Sequence, residues 1–282
     1  CDRCTRLRKP GVIHPVKKCR VVRPPRRKIK VVNMIPRRQS GETNQDSEPF
    51  LAVDTNPQRM AGTAFTPNPF GTTSGLAPIY VSENGGDTWR LNMIVPSAGA
   101  LTGTGDITVA TTEVARRLYG GILRLPGNFL LNTLRTNDFT ASTPMTVLSS
   151  RTNVDQPFVQ ATTASEPVGC DCDRVYVGNN DLALHTFFGG NGRTATVDVS
   201  LDGGATWNSI RIETRNTMGQ DGPSVRPTIA RDATVYVAYF GWRQRIGGIR
   251  RSDVVVVRDD NGATGPNPFQ ALTDPGDGLA GR

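Results

Sequence analysis

Short apolar stretches recur along the chain from about residue 45 onward, and turn-forming residues separate them. The stretches are four to six residues long and rich in β-branched or aromatic residues, and Gly, Pro, Asn or Asp bounds most of them. This pattern predicts short strands joined by tight turns rather than long helices. Eight strands are predicted on this basis, namely 49–53, 60–65, 106–110, 118–123, 156–159, 175–178, 226–230 and 235–239.

Two segments, 81–89 and 199–207, share the pattern Ser-x-(Asp/Asn)-x-Gly-x-Thr-Trp. In such a segment the Asx side chain can accept hydrogen bonds from nearby backbone N–H groups, and glycine supplies the positive φ of a tight turn. The tryptophan is an apolar anchor between strands. The pattern therefore predicts structural roles for Ser82, Asn84, Gly86, Trp89, Ser200, Asp202, Gly204 and Trp207.

Two degenerate copies of this turn are predicted, at 135–139 and 258–262. Counted from the first position of each copy (82, 135, 200 and 258), the steps are 53, 65 and 58 residues. Each repeat then contains an inner strand, a second strand and a hairpin closed by the turn. A period of this length is typical of propeller blades.

The full motif resembles the Asp box of sialidases and their relatives, which are β-propeller proteins. The resemblance covers roughly residues 45–282 and implies an all-β propeller with four recognisable blades, at about 45–98, 99–150, 151–216 and 217–282. Because sialidase-type rings have six blades and some relatives have more, we expect these four to belong to a larger six- or seven-bladed ring. The alternative is a complete four-bladed ring, since closure alone removes exposed sheet edges.

The composition separates a basic arm from an acidic body. Residues 1–40 contain five Lys, nine Arg and one acid, a net charge of 14 − 1 = +13, and the remainder contains 19 Arg and 24 acids, a net charge of −5. No stretch is apolar for the roughly 20 residues that a membrane helix needs. We predict that residues 1–44 form an extended arm that binds a protein assembly or another acidic surface. Nucleic acid is a less favoured partner, because no aromatic residues interleave with the charges.

Four potential zinc ligands lie in this arm. Cys1, Cys4, His14 and Cys19 are spaced as C-x2-C-x9-H-x4-C, and thiolates with an imidazole suit a tetrahedral zinc ion. A disulfide or free thiols are the alternatives. No other cofactor is predicted.

The resemblance also allows a search for a catalytic site. Sialidases hold the substrate carboxylate with three arginines at the starts of inner strands, and they add a Tyr–Glu nucleophile pair and an acid/base Asp. At the matching X-Pro positions this chain has Glu48, Gln156 and Arg226, so only one arginine is in place. The ligand-binding candidates are Arg226, Asp221, Tyr239, Trp242 and Arg243, and no catalytic residue is assigned. For Arg226 and Tyr239, a structural ion pair and core packing are the alternatives.

The first functional hypothesis is a non-catalytic propeller that acts as a recognition or assembly module, with a glycan as a candidate ligand at its centre. The alternative is an exo-sialidase-type glycoside hydrolase whose remaining catalytic residues follow residue 282. An extracellular, particle-surface or cell-surface location suits the first hypothesis.

Overall fold

The computed structural model describes residues 29–40, 47–65, 79–96, 103–125, 129–164, 173–182, 194–213, 225–246 and 249–271. The cysteines and histidine of the predicted zinc set, Cys1, Cys4, His14 and Cys19, lie outside these residues, as does Asp221. Val32 and the residues after it form one compact unit. Within the described part of the chain, no helix is long and apolar enough to cross a membrane.

The described residues form four antiparallel sheets of four strands each, and the strands of each sheet follow one another in chain order. We call these sheets blades 1 to 4. A single short helix, α1 (Arg37–Ser40), precedes them in the described residues. The prediction of an all-β chain is confirmed. Blade 1 contains β1 (Ser47–Val53), β2 (Met60–Phe65), β3 (Ile79–Ser82) and β4 (Arg90–Asn92); blade 2 contains β5 (Gly103–Thr111), β6 (Leu118–Leu125), β7 (Leu130–Thr136) and β8 (Thr146–Arg151); blade 3 contains β9 (Val154–Thr163), β10 (Asp173–Asp181), β11 (Thr194–Ser200) and β12 (Asn208–Arg211); blade 4 contains β13 (Arg226–Ile229), β14 (Val235–Ile246), β15 (Ile249–Asp259) and β16 (Gln270–Ala271).

The core lies between successive blades, because each sheet turns one apolar face toward its neighbour. In β14, for example, Val235, Val237 and Tyr239 are buried, and Phe240 on the other face is 41% exposed. The apolar clusters join blade 1 to blade 2, blade 2 to blade 3 and blade 3 to blade 4. The first strand of each blade packs on the preceding blade, with β5 against β1 and β2, β9 against β5 and β6, and β13 against β9 and β10.

Glycine lets these first strands approach the preceding blade closely. A Cβ atom on Gly178 of β10 would lie 2.0 Å from the carbonyl oxygen of Val225, just before β13. At Gly121 of β6 a Cβ would lie 3.2 Å from the Cβ of Pro157 in β9. A small residue at this point of the second strand thus makes room for the next blade.

The two motif turns, which join β3 to β4 and β11 to β12, form the same hydrogen bonds. The Ser82 hydroxyl accepts from the Gly86 N–H at 2.9 Å, and the Ser200 hydroxyl accepts from the Gly204 N–H at 2.8 Å. The Asn84 Oδ1 accepts from the Thr88 N–H at 2.9 Å. Correspondingly, the Asp202 Oδ1 accepts from the Thr206 N–H, also at 2.9 Å. Slight burial acts to raise the pKa of Asp202, but hydrogen bonds from the hydroxyl and N–H of Thr206 and from the Ser200 hydroxyl lower it. The indoles of Trp89 and Trp207 donate to the carbonyls of Gly86 and Gly204, each at 3.0 Å.

The two degenerate segments occupy the equivalent turns of blades 2 and 4. In blade 2 the Thr136 hydroxyl accepts from the Asp138 N–H at 3.1 Å, and Asp138 Oδ1 accepts from the N–H of Thr140, two residues on, at 2.9 Å. In blade 4 the carboxylate of Asp259 takes the place of the serine hydroxyl and accepts from the backbone N–H groups of Asn261 and Ala263. All four blades therefore have an Asx- or Ser/Thr-stabilised turn between their third and fourth strands.

Two buried carboxylates tie neighbouring blades together. Asp54 of blade 1 accepts from the Arg59 guanidinium at 2.9 Å and from the backbone N–H of Arg116 in blade 2. Burial acts to raise the pKa of Asp54, but its hydrogen bonds outweigh burial and lower the pKa to about 2. Asp173 of blade 3 is fully buried and accepts from Arg117 at 3.0 Å and from the Tyr119 hydroxyl at 2.8 Å, both in blade 2.

Candidate functional site

The inner strands β1, β5, β9 and β13 all begin at the same end of their blades, which we call the entrance. The chain runs away from the entrance in the first and third strands and returns in the second and fourth. The motif turns, which follow the third strands, therefore lie at the opposite end. Residues at the starts of the inner strands are those that can face a ligand in the central depression.

Strand pairing defines which residues lie level with one another around the centre. The first residues of the four turns, Ser82, Thr136, Ser200 and Asp259, pair with Met60, Leu118, Val175 and Val235 of the second strands. The two degenerate copies thus begin one residue later than the sequence count of 135 and 258, because Thr136 and Asp259 take the place of the serine in the turn. Three residues further along each second strand, the partners on the inner strands are Phe50, Thr108, Phe158 and Arg226.

This pairing corrects the sequence alignment of the inner strands. The X-Pro pattern placed Arg226 level with Glu48 and Gln156, but Arg226 lies level with Phe50 and Phe158, two residues further from the entrance. The physical reason is the position of the proline: Pro49 and Pro157 precede this level and lie within a β-bulge, whereas Pro227 follows it and pairs with Val237. In β1 and in β9 one extra residue enters the pairing between the start of the strand and the phenylalanine. The described pairing of β13 has no such bulge.

Two phenylalanines and one arginine meet at this level. The ring centroids of Phe50 and Phe158 are 5.5 Å apart, and the rings meet edge to face at 74°. The guanidinium carbon of Arg226 lies 5.3 Å from the Phe158 ring centroid, within range of a cation–π contact. Residues of blades 1, 3 and 4 thus meet at one level, which we call the Phe–Arg floor.

Three polar side chains come two residues nearer the entrance than this floor. Glu48, Asp106 and Gln156 each lie two residues before the paired residue of this level on β1, β5 and β9, and each lies within a bulge of its strand. Glu48 has a φ of 51° and Gln156 a φ of 55°, in the left-handed region that residues other than glycine rarely adopt. Such backbone strain is concentrated at functional sites, and β-bulges re-aim side chains beside them. Sequence analysis missed Asp106, although aligning the repeats on their turns would have found it.

A largely buried polar cluster between blades 2 and 3 lies beside the entrance. Arg151 forms ion pairs with Asp181 and Asp198, and the Asn179 amide donates to Asp198 at 2.9 Å. The side chain of Asn180 is fully buried, and among the described residues neither its amide nitrogen nor its oxygen has a hydrogen-bond partner. Asn180 pairs with Asp155 of β9, the residue before Gln156. The start of β9 is therefore backed by polar groups rather than by an apolar core.

The structure does not gather the other predicted ligand residues around Arg226. Tyr239 is 4% exposed, packs in the apolar cluster between blades 3 and 4, and donates from its hydroxyl to the Ile212 carbonyl at 3.2 Å. Trp242 and Arg243 are in β14, but their side chains are outside the described part of the structure. Arg226 is exposed and is the one candidate whose described side chain lies at the centre.

No group of His, Cys, Asp and Glu side chains within the described ranges has a geometry that could hold a metal ion. The shifted pKa values lie at turns and between blades. Burial is the largest cause that raises the pKa of Tyr119, and its hydrogen bond to Asp173 acts in the same direction. Burial also raises the pKa of Tyr176, to about 12, and lowers that of Arg124.

Comparison with known proteins shows similarity at the level of structure. No family model matches the chain, and no curated protein matches it. The structure of the GH93 α-L-arabinofuranosidase of Fusarium graminearum with arabinobiose matches with a TM-score of 0.56 and 14% identity, over 81% of this chain and 66% of that one. A mutant of the α-L-arabinofuranosidase of the same organism, bound to an iminosugar inhibitor, matches with a TM-score of 0.53 and 14% identity, over 77% of this chain and 63% of that one.

The chain thus spans slightly less than two thirds of the length of each arabinofuranosidase that it matches. At 14% identity the similarity concerns the fold, which is a β-propeller of the kind found in glycoside hydrolases. The propeller prediction is confirmed at that level, but the matches do not single out the sialidase type.

Proposed function

We propose that this propeller acts on a glycan at its entrance and cleaves a glycosidic bond there, with Glu48 and Asp106 as the pair of carboxyl groups. The observation that carries the proposal is the strand register. Counted from the residues that pair at the level of the Phe–Arg floor, Glu48 and Asp106 each lie two residues nearer the entrance, on two adjacent inner strands. The similarity of the fold to arabinofuranosidases agrees with a carbohydrate ligand.

The chemistry of glycoside hydrolysis suits these groups. Most glycosidases use two Asp or Glu residues that flank the scissile bond, one as general acid and the other as nucleophile or general base. The faces of Phe50 and Phe158 offer an apolar surface on which a sugar ring can stack. The Arg226 guanidinium can donate hydrogen bonds to sugar hydroxyl or carboxylate oxygens at the same depth.

A neutral glycan fits this site better than a sialoside. Glu48 lies at the first inner strand, where sialidases have an arginine, and its negative charge would repel a substrate carboxylate. The sialidase-type alternative therefore needs arginines from residues after 282. We choose an arabinofuranoside as the first substrate to test, because arabinobiose is the ligand of one matching structure.

The test is hydrolysis by the full-length protein of a panel of 4-nitrophenyl glycosides, including the α-L-arabinofuranoside, with a fluorogenic sialoside alongside. Because a general acid or base contributes roughly 10² to 10⁴ in rate, Glu48→Gln and Asp106→Asn should each lower kcat at least a hundredfold. Glu83→Gln is the matched control, since Glu83 is an exposed carboxylate in the β3–β4 turn.

The outcomes separate the functional hypotheses. Turnover of a neutral glycoside that either entrance variant abolishes supports the proposal. Binding of the glycan without turnover supports the non-catalytic recognition module, and turnover of the sialoside alone supports the sialidase type. Activity that both entrance variants retain would refute the assignment of the two carboxyl groups.

We also propose that the ring contains more than four blades, six or seven as the resemblance to the Asp-box proteins implies. The outer faces of the first and last described blades carry exposed apolar side chains, with Leu51 at 57% and Val53 at 43% in blade 1 and Phe240 at 41% and Val254 at 70% in blade 4. A further blade packed on each face would cover them. Thiol labelling of a Val254→Cys variant, read at that site by mass spectrometry, should be slower in a full-length protein than in the 282-residue chain. Equal rates would contradict the larger ring.

For the basic arm we propose docking to a larger assembly with an acidic surface, in agreement with the charge of +13 over residues 1–40. An extracellular, particle-surface or cell-surface location would follow. Removal of the arm should abolish retention on an acidic surface and leave glycan binding at the entrance unchanged. Retention should also fall steeply as salt rises. If the arm retained duplex DNA more strongly than an acidic protein, nucleic acid would be the favoured partner.

A further inference from the structure

A cavity of about 480 Å³ lies at the end of the propeller opposite the entrance. It opens where β9 and β13 end, and its walls come from three blades. Blade 2 contributes Glu113, blade 3 contributes Gln160, Thr162 and Arg174, and blade 4 contributes Arg231. We call it the arginine cleft. None of these residues belongs to the candidate site at the entrance.

The acidic side chain of the cleft is already bound to the protein. Glu113 Oε1 accepts from the Thr162 hydroxyl at 2.9 Å, and its Oε2 accepts from the Thr163 N–H at 2.5 Å. Both oxygens of Glu113 are therefore held against the end of β9. A carboxylate fixed in this way is less available to neutralise an arginine elsewhere in the cleft.

The turn between β15 and β16 lies next to the Arg174 guanidinium. A Cβ added to Gly262 would lie 2.5 Å from Arg174 Nη1 and 3.0 Å from the Tyr176 hydroxyl oxygen, so both side chains lie close to this turn. Because Gly262 has no side chain, the Arg174 guanidinium can lie against this turn. Tyr176 in turn donates to the Gly262 carbonyl at 3.0 Å.

Arg231 is exposed in the tight turn between β13 and β14. The adjacent carboxylate, Asp232, accepts from the Thr234 N–H at 3.1 Å and so stabilises the turn. Ala233 completes the turn with a φ of 67°. Within the part of the chain that the structure describes, neither Arg174 nor Arg231 forms an ion pair with a carboxylate.

We propose that the arginine cleft is a second binding site, for a ligand that carries an oxyanion group. Two guanidinium groups without carboxylate partners face one concave polar surface, and the planar donors of arginine match carboxylate, sulfate and phosphate oxygens. The residues after 40 have a net charge of −5, so the local arginines, rather than the overall field of the body, would attract the anion. The ligand is either an acidic sugar residue of a glycan or a sulfate or phosphate ester. This inference is independent of the function proposed for the entrance.

The test measures dissociation constants of D-glucuronate, inorganic phosphate and inorganic sulfate for the full chain, by chemical-shift titration at constant ionic strength. D-glucose serves as the neutral control. Arg231→Gln should weaken binding at least tenfold, and because Arg231 is exposed the variant should fold normally. Arg251→Gln is the matched control, since it removes the same charge from an exposed residue of β15 outside the cleft. It should change the dissociation constant less than twofold.

Selective binding of glucuronate would support the proposal and assign the oxyanion to a sugar acid. Binding of phosphate and sulfate without glucuronate would also support it and assign the oxyanion to an ester, whereas binding of all three would establish a general oxyanion site. The absence of saturable binding by any of the anions would overturn the proposal. Equal losses in Arg231→Gln and Arg251→Gln, or equally tight binding of D-glucose, would overturn it as well.

Discussion

Replacement of Gly178 by alanine tests the close approach of β13 to β10 and, with it, the position of Arg226 in the Phe–Arg floor. The new Cβ would lie 2.0 Å from the Val225 carbonyl oxygen and 2.8 Å from the Cδ of Pro227. Real Cβ atoms essentially never approach another atom within 3.0 Å, so the backbone must move by at least 3.0 − 2.0 = 1.0 Å. The nearer atom belongs to the main chain, and no side-chain rotation can relieve the contact.

The expected cost follows from two opposing terms. Overpacking that shifts backbone typically destabilises a protein by about 1–3 kcal/mol. Replacing glycine by alanine gains about 0.4–1 kcal/mol, because the unfolded chain loses conformational freedom. We therefore expect Gly178→Ala to lower the free energy of unfolding by about 1–2 kcal/mol. Since β13 must move away from β10, the contact between Arg226 and Phe158 should also loosen.

Gly120→Ala is the matched control, because Gly120 lies in the second strand of blade 2 and its Cβ would meet no atom closer than 3.8 Å. We expect that variant to be as stable as the wild type or slightly more stable. The assay is urea unfolding, in which a shift of the midpoint at unchanged slope reports a change in stability. Equal midpoints for the two variants would refute the close approach of β13 to β10.

Three further predictions concern the polar groups between blades and in the turns. The pKa of Asp54 is lowered to about 2 from an ordinary value of 3.8, so its ionised form stabilises the fold by about 2 kcal/mol above pH 4, and this contribution is lost as the pH falls from 4 to 2. In urea unfolding measured across that pH range, the stability difference between wild type and Asp54→Asn should therefore shrink as the pH falls. A constant difference would contradict the lowered pKa. Asp173→Asn should cost about 3–5 kcal/mol in the same assay, because it removes the carboxylate that pairs with the buried Arg117 and accepts from the Tyr119 hydroxyl. Asp138→Asn, in an exposed pair, should cost less than about 1 kcal/mol. Asp202→Ala should lower the melting temperature by the equivalent of about 1 kcal/mol, since it removes the acceptor of the Thr206 N–H, and no change would contradict the structural role of that turn.

The sequence was sufficient to predict the blades because their signals are local. A strand needs only alternation and a turn residue at each end, and the turn motif contains its own hydrogen-bond donors and acceptors within five residues. Even the degenerate copies could be found in this way, since Asp138 and Asp259 each bond to backbone a few residues on. The alternation of Val235, Val237 and Tyr239 likewise indicates that Tyr239 belongs to a buried face.

The candidate site was harder to predict because it depends on register and on contacts between distant residues. Glu48 and Arg226 both precede a proline, and nothing local distinguishes them. Their different levels follow from how each strand pairs with the second strand of its blade, and a shift in register changes which side chain faces the centre. The contact between Phe50 and Phe158 joins residues 108 positions apart, and no local pattern predicts it.

The strand register also explains how the candidate site can have a fixed geometry although the segments between strands differ in length from blade to blade. Strain at Glu48 and Gln156 persists only if the surrounding structure determines the backbone, and here the strands on either side of each bulge remain paired. Below them the Phe–Arg floor is fixed by one edge-to-face contact and one cation–π contact between three blades. A glycan that enters from the loops would therefore meet carboxyl groups on sheet backbone rather than on loops, which is the arrangement that pre-organised catalysis requires. If Glu48 and Asp106 are the catalytic pair, substitutions in the entrance loops should change KM while kcat stays within a few fold, and the reverse result would place the chemistry in the loops.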